Sequence, residues 1–452
     1  MSSPERPMSS HERPMSSHEM TSHEPPLGNS HEPPLTNTHA QPLAKRRFDQ
    51  SVANGVLRVT GAALGPYQSA VIRIGFALTW LLFLLREFPH RHELYGPEGP
   101  WGWDMAQQLI ADNRAFTVLM WDDGRGWFEF VYLVAVLSSA LLLVGWRTRT
   151  MSVLFMVGVL SLQNRSVFMG DGGDNVIHLM AIYLVFTQCG RVWSLDARRA
   201  VRGPEGEDRV GPLLWTVLGG LLLFGTFTGR FDWQTELPWN LPIIPYLLWG
   251  VWLGTALSWC VRRYGSEQPR ILADVVRNLL HNTALVVIMA EACLIYATAG
   301  WYKIQGSRWQ DGTAVHYPLH LDYFSPWPAL SELLSSFALP LLLITYGTVA
   351  VQVAFPFTLF NRRVKNVLLA AMITEHAVIA VILGLPFFSL AMIAADAVFL
   401  PTTFLRRLER LTTRVRDRVL PRRRGVELPA QRTDEEAARP EREPESVEHA
   451  RA

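Results

Sequence analysis

FEFVYLVAVLSSALLLVGW, residues 128 to 146, is the stretch of sequence that decides the fold. As a helix rising about 1.5 Å per residue it would span about 28 Å, close to the roughly 30 Å of hydrocarbon in a bilayer. A second such stretch, LLWTVLGGLLLFGTF, occupies residues 213 to 227. The whole chain is 49% apolar and only 18% charged, and the apolar residues are clustered. We therefore predict an all-α integral membrane protein.

Further apolar stretches predict a polytopic bundle of about ten transmembrane helices. Because the sequence does not fix where each helix ends, neighbouring apolar stretches can be divided in different ways, and nine to eleven spans fit the sequence. The predicted spans are residues 68–88, 126–146, 149–166, 174–193, 212–229, 242–262, 279–301, 332–358, 366–384 and 386–404.

Lysine and arginine cluster in alternate loops of this ten-span arrangement, although the net charge is only +2. Short cytoplasmic loops carry an excess of these residues. The basic segments precede the first span, join the even-numbered spans to the next ones, and follow the tenth. Both termini are therefore predicted to be cytoplasmic in a multi-pass protein of the cell membrane. The predicted extracytoplasmic loops are residues 95–125, 165–174, 230–240 and 303–328.

The predicted transmembrane domain covers residues 51–405. The segments on either side of it are polar. Residues 1–50 contain a degenerate His-Glu-Pro repeat, such as HEPPL at 23–27 and again at 31–35, and are predicted to be a disordered arm. Its histidines could capture a metal, but such repeats are more often solvated spacers. Residues 406–424 are predicted to form a basic amphipathic juxtamembrane segment, and residues 425–452 a disordered tail.

Ionisable side chains inside the predicted spans are the first candidates for chemistry, because charge at membrane depth is costly. Each could instead be a structural link between helices. Together they favour an enclosed polar site. The residues are Arg73, His281, Glu291, Glu375, His376 and Asp396.

AGWYKIQGSRWQDGTAVHYPLHLDYF, residues 299 to 324, follows the seventh predicted span on the extracytoplasmic side. Its lysine, Lys303, has two interpretations. A lysine at a membrane boundary commonly extends its ammonium to the headgroups. A partly desolvated lysine can instead lose its proton and act as a general base.

The order of residues in this stretch resembles the HTTM (horizontally transferred transmembrane) family, which includes the membrane domain of vitamin K-dependent gamma-carboxylase. The pattern is Ala-Gly-x-x-Lys-[Ile/Leu]-x4-Trp-x-[Asp/Glu]-Gly, found here from Ala299 to Gly312. Arg73, the segment from Asn164 to Asn175 and the Trp193 to Asp196 segment are also similar. The resemblance covers roughly residues 50 to 410 and implies a bacterial-type member of this family.

The resemblance implies a role for Lys303. In the carboxylase the matching lysine is taken to deprotonate a vitamin K hydroquinone, so Lys303 is the expected catalytic base and a vitamin K-like quinol the expected cofactor. Asp171 and Asp174 are predicted to lie on the same extracytoplasmic face, because the fourth span begins where the seventh ends. The predicted substrate-binding residues are Arg73, Asp171, Asp174, Trp309, Asp311, Glu375 and His376.

The chain also departs from the carboxylase pattern. It continues for only about fifty residues after the last predicted span, so we expect no counterpart of the carboxylase's large lumenal domain. Gly172 to Asn175 stands where the carboxylase has an asparagine-histidine segment, and no catalytic histidine carries over there. The fifth and sixth spans look like an insertion relative to shorter family members. Glutamate carboxylation itself is therefore not expected.

Two functions remain open from the sequence. The first is a membrane enzyme that acts on a lipid-soluble quinol with Lys303 as general base. The second is a non-enzymatic scaffold, export or immunity component built on the same helices, with a separate soluble protein as partner. A transporter would show internal repeats or matching broken helices, which the sequence lacks. The expected partners are the lipid bilayer and a lipid-soluble quinone, and nucleic acid is not expected.

Overall fold

The computed structural model describes residues 43–166, 168–203, 209–231 and 243–419. The predictions for the repeat arm up to residue 42 and for the tail from residue 420 lie outside these ranges. The chain divides into two compact units, residues 1–54 and 55–452. The first unit is described only from residue 43, where it forms the first part of a helix.

Every regular element in the described ranges is helical, which confirms the predicted fold class at that level. The first nine α-helices are α1 Leu43–Gly61, α2 Pro66–Glu87, α3 Arg91–Tyr95, α4 Trp103–Asn113, α5 Arg125–Val144, α6 Thr148–Arg165, α7 Gly172–Leu184, α8 Leu195–Arg202 and α9 Val210–Phe227. The other nine are α10 Ile243–Tyr264, α11 Glu267–Gln305, α12 Ser307–Gln310, α13 His316–Leu319, α14 Pro328–Ser335, α15 Ala338–Ala354, α16 Arg362–Ile382, α17 Pro386–Asp396 and α18 Thr402–Val419.

Seven of the described helical segments are long and apolar enough to cross a membrane. An eighth is obtained if the pair Pro386–Phe399 and Thr402–Arg416, bent by 113°, counts as one span. The structure therefore has several helices apolar enough to span a membrane, as a multi-pass protein requires, and the predicted count of about ten is not confirmed. The seven segments contain α2, α5, α9, α10, α11, α15 and α16.

The fourth predicted span, residues 174–193, is a shorter helix than the sequence indicates. The helix α7 has 13 residues, a length of about 20 Å. After it, the backbone N–H of Gln188 donates to Nδ1 of His281 at 2.9 Å, so the chain turns toward α11. The apolar run continues past Leu184, but this contact takes it out of the helix.

The interior of the bundle is formed by close packing of α2 against α5 and α17, of α5 against α6, and of α7 against α6 and α17. Trp80 and Tyr132 are buried here, with Trp80 stacked on Phe83 at 5.1 Å between ring centroids. A Cβ atom at Gly75 would lie only 2.5 Å from that of Ala394. Small residues at this crossing allow α2 and α17 to approach each other, as is common between membrane helices.

The helix α11 is the longest element, with 39 residues and a length of about 58 Å. It begins twelve residues before the predicted span 279–301 (279 − 267 = 12). One continuous helix therefore carries the ionisable residues of the seventh predicted span together with Lys303.

The helix α18 covers the first part of the predicted basic amphipathic segment and starts four residues earlier, at Thr402. Leu405 is buried, whereas Leu408, Leu411 and Val415 are exposed. Glu409 attaches this helix to the bundle, because its carboxylate accepts from the Tyr67 hydroxyl at 2.9 Å and from the Trp193 indole at 3.2 Å.

Candidate functional site

Lys303 lies in the last turn of α11, where α15 approaches closely. A Cβ atom at Gly300 would lie 2.6 Å from Cγ2 of Val353, so the glycine of the Ala-Gly motif is needed for this contact. The close approach brings Gln352, the residue before Val353, next to the lysine. Lys303 Nζ donates to Gln352 Oε1 at 2.8 Å.

Gln352 connects the lysine to a carboxylate on the next helix. Its Nε2 donates to Glu375 Oε1 at 2.8 Å, and the amide is buried. Lys303 and Glu375 are each half-buried. The indole of Trp309 lies on another side of the lysine, with Nζ 5.1 Å from the ring centroid, within cation–π range. A neutral amide stabilises an ammonium less than a carboxylate would, so this lysine can give up its proton more readily than one in a direct ion pair.

A second group of polar side chains lies deeper among the helices. The Tyr296 hydroxyl is 3.1 Å from His376 Nε2 and donates to Asp396 Oδ2 at 3.0 Å. Tyr296 and Asp396 are fully buried and His376 nearly so. Among the described residues, Nδ1 of His376 and Oδ1 of Asp396 have no hydrogen-bond partner. These two atoms are free to bond a ligand or water.

The two groups share helices and lie close enough to interact electrostatically, Lys303 with His376 and Glu375 with Asp396. Tyr296 and Lys303 are seven residues apart on α11, which places them on the same face about 10 Å apart along the axis. Glu375 and His376 are neighbours on α16. We call this set the polar seam, and it consists of Tyr296, Lys303, Gln352, Glu375, His376 and Asp396.

The remaining motif residues form a turn beside the seam. Asp311 is exposed, and its carboxylate accepts from the backbone N–H of Thr313 at 2.9 Å and from its hydroxyl. These bonds lower the pKa of Asp311 below its usual value. Gly312 has φ +78°, and a Cβ atom there would lie 2.2 Å from Cδ2 of Leu342. The Asp-Gly pair is therefore explained by turn geometry, and the bonds of Asp311 go to its own turn and to Arg308.

Asp171 and Asp174 cap α7. The Asp171 side chain accepts from the backbone of Gly173 and Asp174, and Asp174 accepts from the backbone of Asp171 at 2.9 Å. Gly173 packs against the backbone of Phe388, whose ring is 5.6 Å from that of His376. This capping box thus reaches the seam through Phe388, and the predicted sharing of one site with Lys303 stays a prediction.

Arg73 lies at a different place in the bundle. Its guanidinium donates to the carbonyls of Leu142 at 2.5 Å, Leu143 at 2.9 Å and Trp193 at 2.7 Å. The first two are at the C-terminal end of α5, where a cation is favoured by the helix dipole. The hydrogen bonds of Arg73 therefore join α2 to α5 and to the Trp193 segment, and they include none with the seam.

His281 also links backbone segments. Its Nε2 donates to the Leu64 carbonyl at 2.8 Å, while Nδ1 accepts from Gln188. His281 precedes Lys303 by 22 residues (303 − 281 = 22), about 33 Å along α11. These contacts lie at the other end of the helix from the lysine.

Tyr296 and Gln352 are seam residues that the sequence did not single out. Both are uncharged, and tyrosine and glutamine occur in membrane helices for several reasons. Two signals could have found them. Tyr296 stands seven residues before Lys303, and Gln352 is a buried amide in an otherwise apolar helix.

Over the described residues no group of three or more His, Cys, Asp and Glu side chains is arranged to hold a metal ion. Comparison of the chain with family models, curated proteins and solved structures gave no match in any of the three.

Proposed function

We propose that this chain is a multi-pass membrane enzyme that removes a proton from a lipid-soluble, quinol-type substrate, with Lys303 as the general base. We propose that the chain belongs to the HTTM family and that it does not carboxylate glutamate. The observation that carries it is the hydrogen bond of Lys303 to the neutral amide of Gln352, 2.8 Å long, in place of a direct ion pair. Such a lysine can exchange a proton without breaking a salt bridge.

The rest of the seam fits a proton-transfer role. A neutral Lys303 amine would take the proton of a quinol hydroxyl, leaving an ammonium and a quinolate oxyanion. Glu375, one amide away, would stabilise the ammonium. The open atoms of His376 and Asp396 provide a hydrogen-bond donor or acceptor deeper in the membrane. An apolar substrate could reach this region from the lipid, because α11, α15 and α16 are largely exposed along their outer faces.

The test is substitution of Lys303 in the full chain, purified in nanodiscs that contain a quinol, with dissolved oxygen present to oxidise the quinolate to the quinone. Lys303→Arg keeps the positive charge but does not supply a neutral amine at physiological pH. We expect the variant to fold like the parent and to lose quinol-dependent oxygen uptake. Lys365→Arg is the matched control, because Lys365 donates to a backbone carbonyl, that of Phe399. Full activity of Lys303→Arg would overturn the proposal.

A second function, a non-enzymatic scaffold with a soluble protein partner, is favoured by a specific observation. Arg73, Asp171 and Asp174 make the hydrogen bonds described above with backbone groups, as expected for residues that hold a fold together. Lipid extraction of the purified protein followed by mass spectrometry separates the two functions. A retained quinone supports the enzyme, whereas a quinone-free protein that copurifies with one soluble partner supports the scaffold.

We also propose that both termini are cytoplasmic and that Lys303 faces the extracytoplasmic side. Support comes from the alternation of basic loops, which was not used to choose the spans. Reporter fusions after Arg202 and after Trp309 should give opposite sidedness. The same sidedness at both positions would contradict this topology.

A further inference from the structure

A cleft of about 3030 Å³ separates the α9–α10 hairpin from α5 and α6. The hairpin is held together by its own contacts. Trp215 and Trp252 stack with ring centroids 4.2 Å apart, and each indole donates to the other residue's carbonyl. Only small fractions of α9 and α10 are buried, so the hairpin is a stable pair of helices that stands partly away from the bundle.

The walls of this cleft are apolar. Val134 of α5 and Val157 of α6 face Leu221 of α9 and Val251 of α10 across it. One end is closed by aromatic residues, where Phe231 stacks on Phe116 and contacts Trp121 edge to face. The volume is several times that of pockets for small soluble ligands, roughly 300–1,000 Å³. The space therefore suits long hydrocarbon chains.

The other end of the cleft is strongly basic. Seven arginines and one acidic residue, Asp196, line it among the described residues. The carboxylate of Asp196 is already hydrogen-bonded to backbone groups, because its two oxygens accept from the N–H groups of Arg147 and Thr148 at the start of α6. Arg149, Arg191 and Arg277 lie close enough to repel one another electrostatically, and Arg262 adds to this repulsion. Asp274 offsets only part of it, because this single carboxylate pairs with both Arg262 and Arg277. A bound anion would relieve this repulsion.

We infer that the cleft between the α9–α10 hairpin and α5–α6 binds an anionic glycerophospholipid, with its acyl chains between the hairpin and the bundle and its phosphate at Arg149, Arg191 and Arg277. An apolar slot that ends in arginines matches the two halves of such a lipid. Guanidinium groups pair well with phosphate oxygens. By the positive-inside pattern the headgroup end is at the cytoplasmic surface, where anionic lipids attract basic residues. This site is independent of Lys303.

The first test uses native mass spectrometry of the full chain in detergent with equal amounts of phosphatidylglycerol and phosphatidylcholine. We expect the parent to retain phosphatidylglycerol preferentially. Replacing Arg149, Arg191 and Arg277 together by Gln should reduce this preference about tenfold or more, since the positive charges that attract the anionic headgroup are removed. Replacing the same three by Lys should preserve most of it.

The matched control replaces Arg263, Arg407 and Arg410 by Gln, since these arginines do not line the cleft. An equal loss in the control and in the test variant would indicate general attraction of basic surfaces to anionic lipid and would overturn the proposal. So would retention of the preference by the test variant. Leu221→Trp, which fills the cleft without changing charge, should also displace the lipid. Unchanged binding by Leu221→Trp would contradict placement of the acyl chains here.

Photocrosslinking of the parent protein tests the same site without relying on the triple variant, which could fail to fold. A phosphatidylglycerol with a photoreactive acyl chain, added to the parent protein, should crosslink to peptides that contain Val157, Leu221 or Val251. Excess sn-glycerol 3-phosphate, which has the phosphate but no chains, should not compete. Crosslinks spread evenly over all exposed helices, or full competition by glycerol phosphate, would exclude a phospholipid site in this cleft.

Discussion

The two ends of α11 differ in what their polar side chains bond. Near its start, Asn282 bonds the backbone of Val59, Ala62 and Leu64, and His281 also bonds backbone. Near its end, Tyr296 and Lys303 bond side chains of other helices. Backbone partners complete the hydrogen bonding of a helix end, whereas the seam leaves two buried atoms open. The first arrangement is typical of structure and the second of a site that receives a ligand.

Arg73 extends the comparison, because its two terminal nitrogens bond only carbonyls, although its buried Nε has no partner among the described residues. By these carbonyl bonds it should behave like the start of α11. Arg73→Met would leave the carbonyls of Leu143 and Trp193 without this donor, whereas the carbonyl of Leu142 keeps the N–H of Gly145. At about 1–3 kcal/mol for each buried unsatisfied group, we expect a loss of about 3–5 kcal/mol of unfolding free energy, the largest of the effects considered. Denaturant unfolding in detergent micelles measures it, with Arg58→Met, at an exposed position, as control. If Arg73→Met is fully stable but has no quinol-dependent activity, Arg73 belongs to the functional site.

Asn282 tests the start of α11 directly. Asn282→Leu removes three hydrogen bonds, one to Val59 in the last turn of α1 and two to Ala62 and Leu64 between α1 and α2. The expected destabilisation is about 2–3 kcal/mol, with faster amide hydrogen exchange over residues 55–64. Thr283→Leu, on the exposed face of the same helix, should leave both unchanged. Slow exchange in Asn282→Leu would show that another contact holds this segment.

Tyr296 tests the seam. Tyr296→Phe keeps the ring contact with Phe355 but removes the hydroxyl between His376 and Asp396. We expect a loss of about 1–2 kcal/mol, less than for Arg73, together with a change in quinol-dependent activity. Tyr302→Phe, at an exposed tyrosine of the same helix, is the control. A loss of stability as large as that of Arg73→Met would mean that the seam is structural.

Asp311 should give the smallest effect, because it is exposed and bonds its own turn. Thr313 holds its pKa below the usual value, so its contribution to stability is present at neutral pH and lost only as the pH falls below about 4. Asp311→Asn should therefore melt slightly below the parent between about pH 6 and pH 8, the difference should disappear below about pH 4, and the variant should keep its activity. Asp322→Asn is the control. Loss of activity in Asp311→Asn alone would add this carboxylate to the seam.

The sequence predicted the helical class because long apolar runs have few other structures available to them. It also identified Lys303, Glu375, His376 and Asp396, since charge within such runs is rare. It did not predict the partners of Arg73, because every residue has a backbone carbonyl and the sequence does not show which ones accept a hydrogen bond. Gln352 was missed for a related reason: its place beside Lys303 depends on the close approach of α15 at Gly300, a tertiary contact.

The α11 contacts with residues 59–64 also constrain how the protein assembles during synthesis. The bonded groups are separated by 217 to 223 residues of sequence. The C-terminal carbonyls of α1 therefore leave the ribosome long before their donors on α11 exist, and water or lipid headgroups must satisfy them in the meantime. Contacts so distant in sequence form late. Insertion of α11 is thus the step after which the carbonyls of residues 59–64 find their donors, so chains arrested before it would leave that polar junction unpaired.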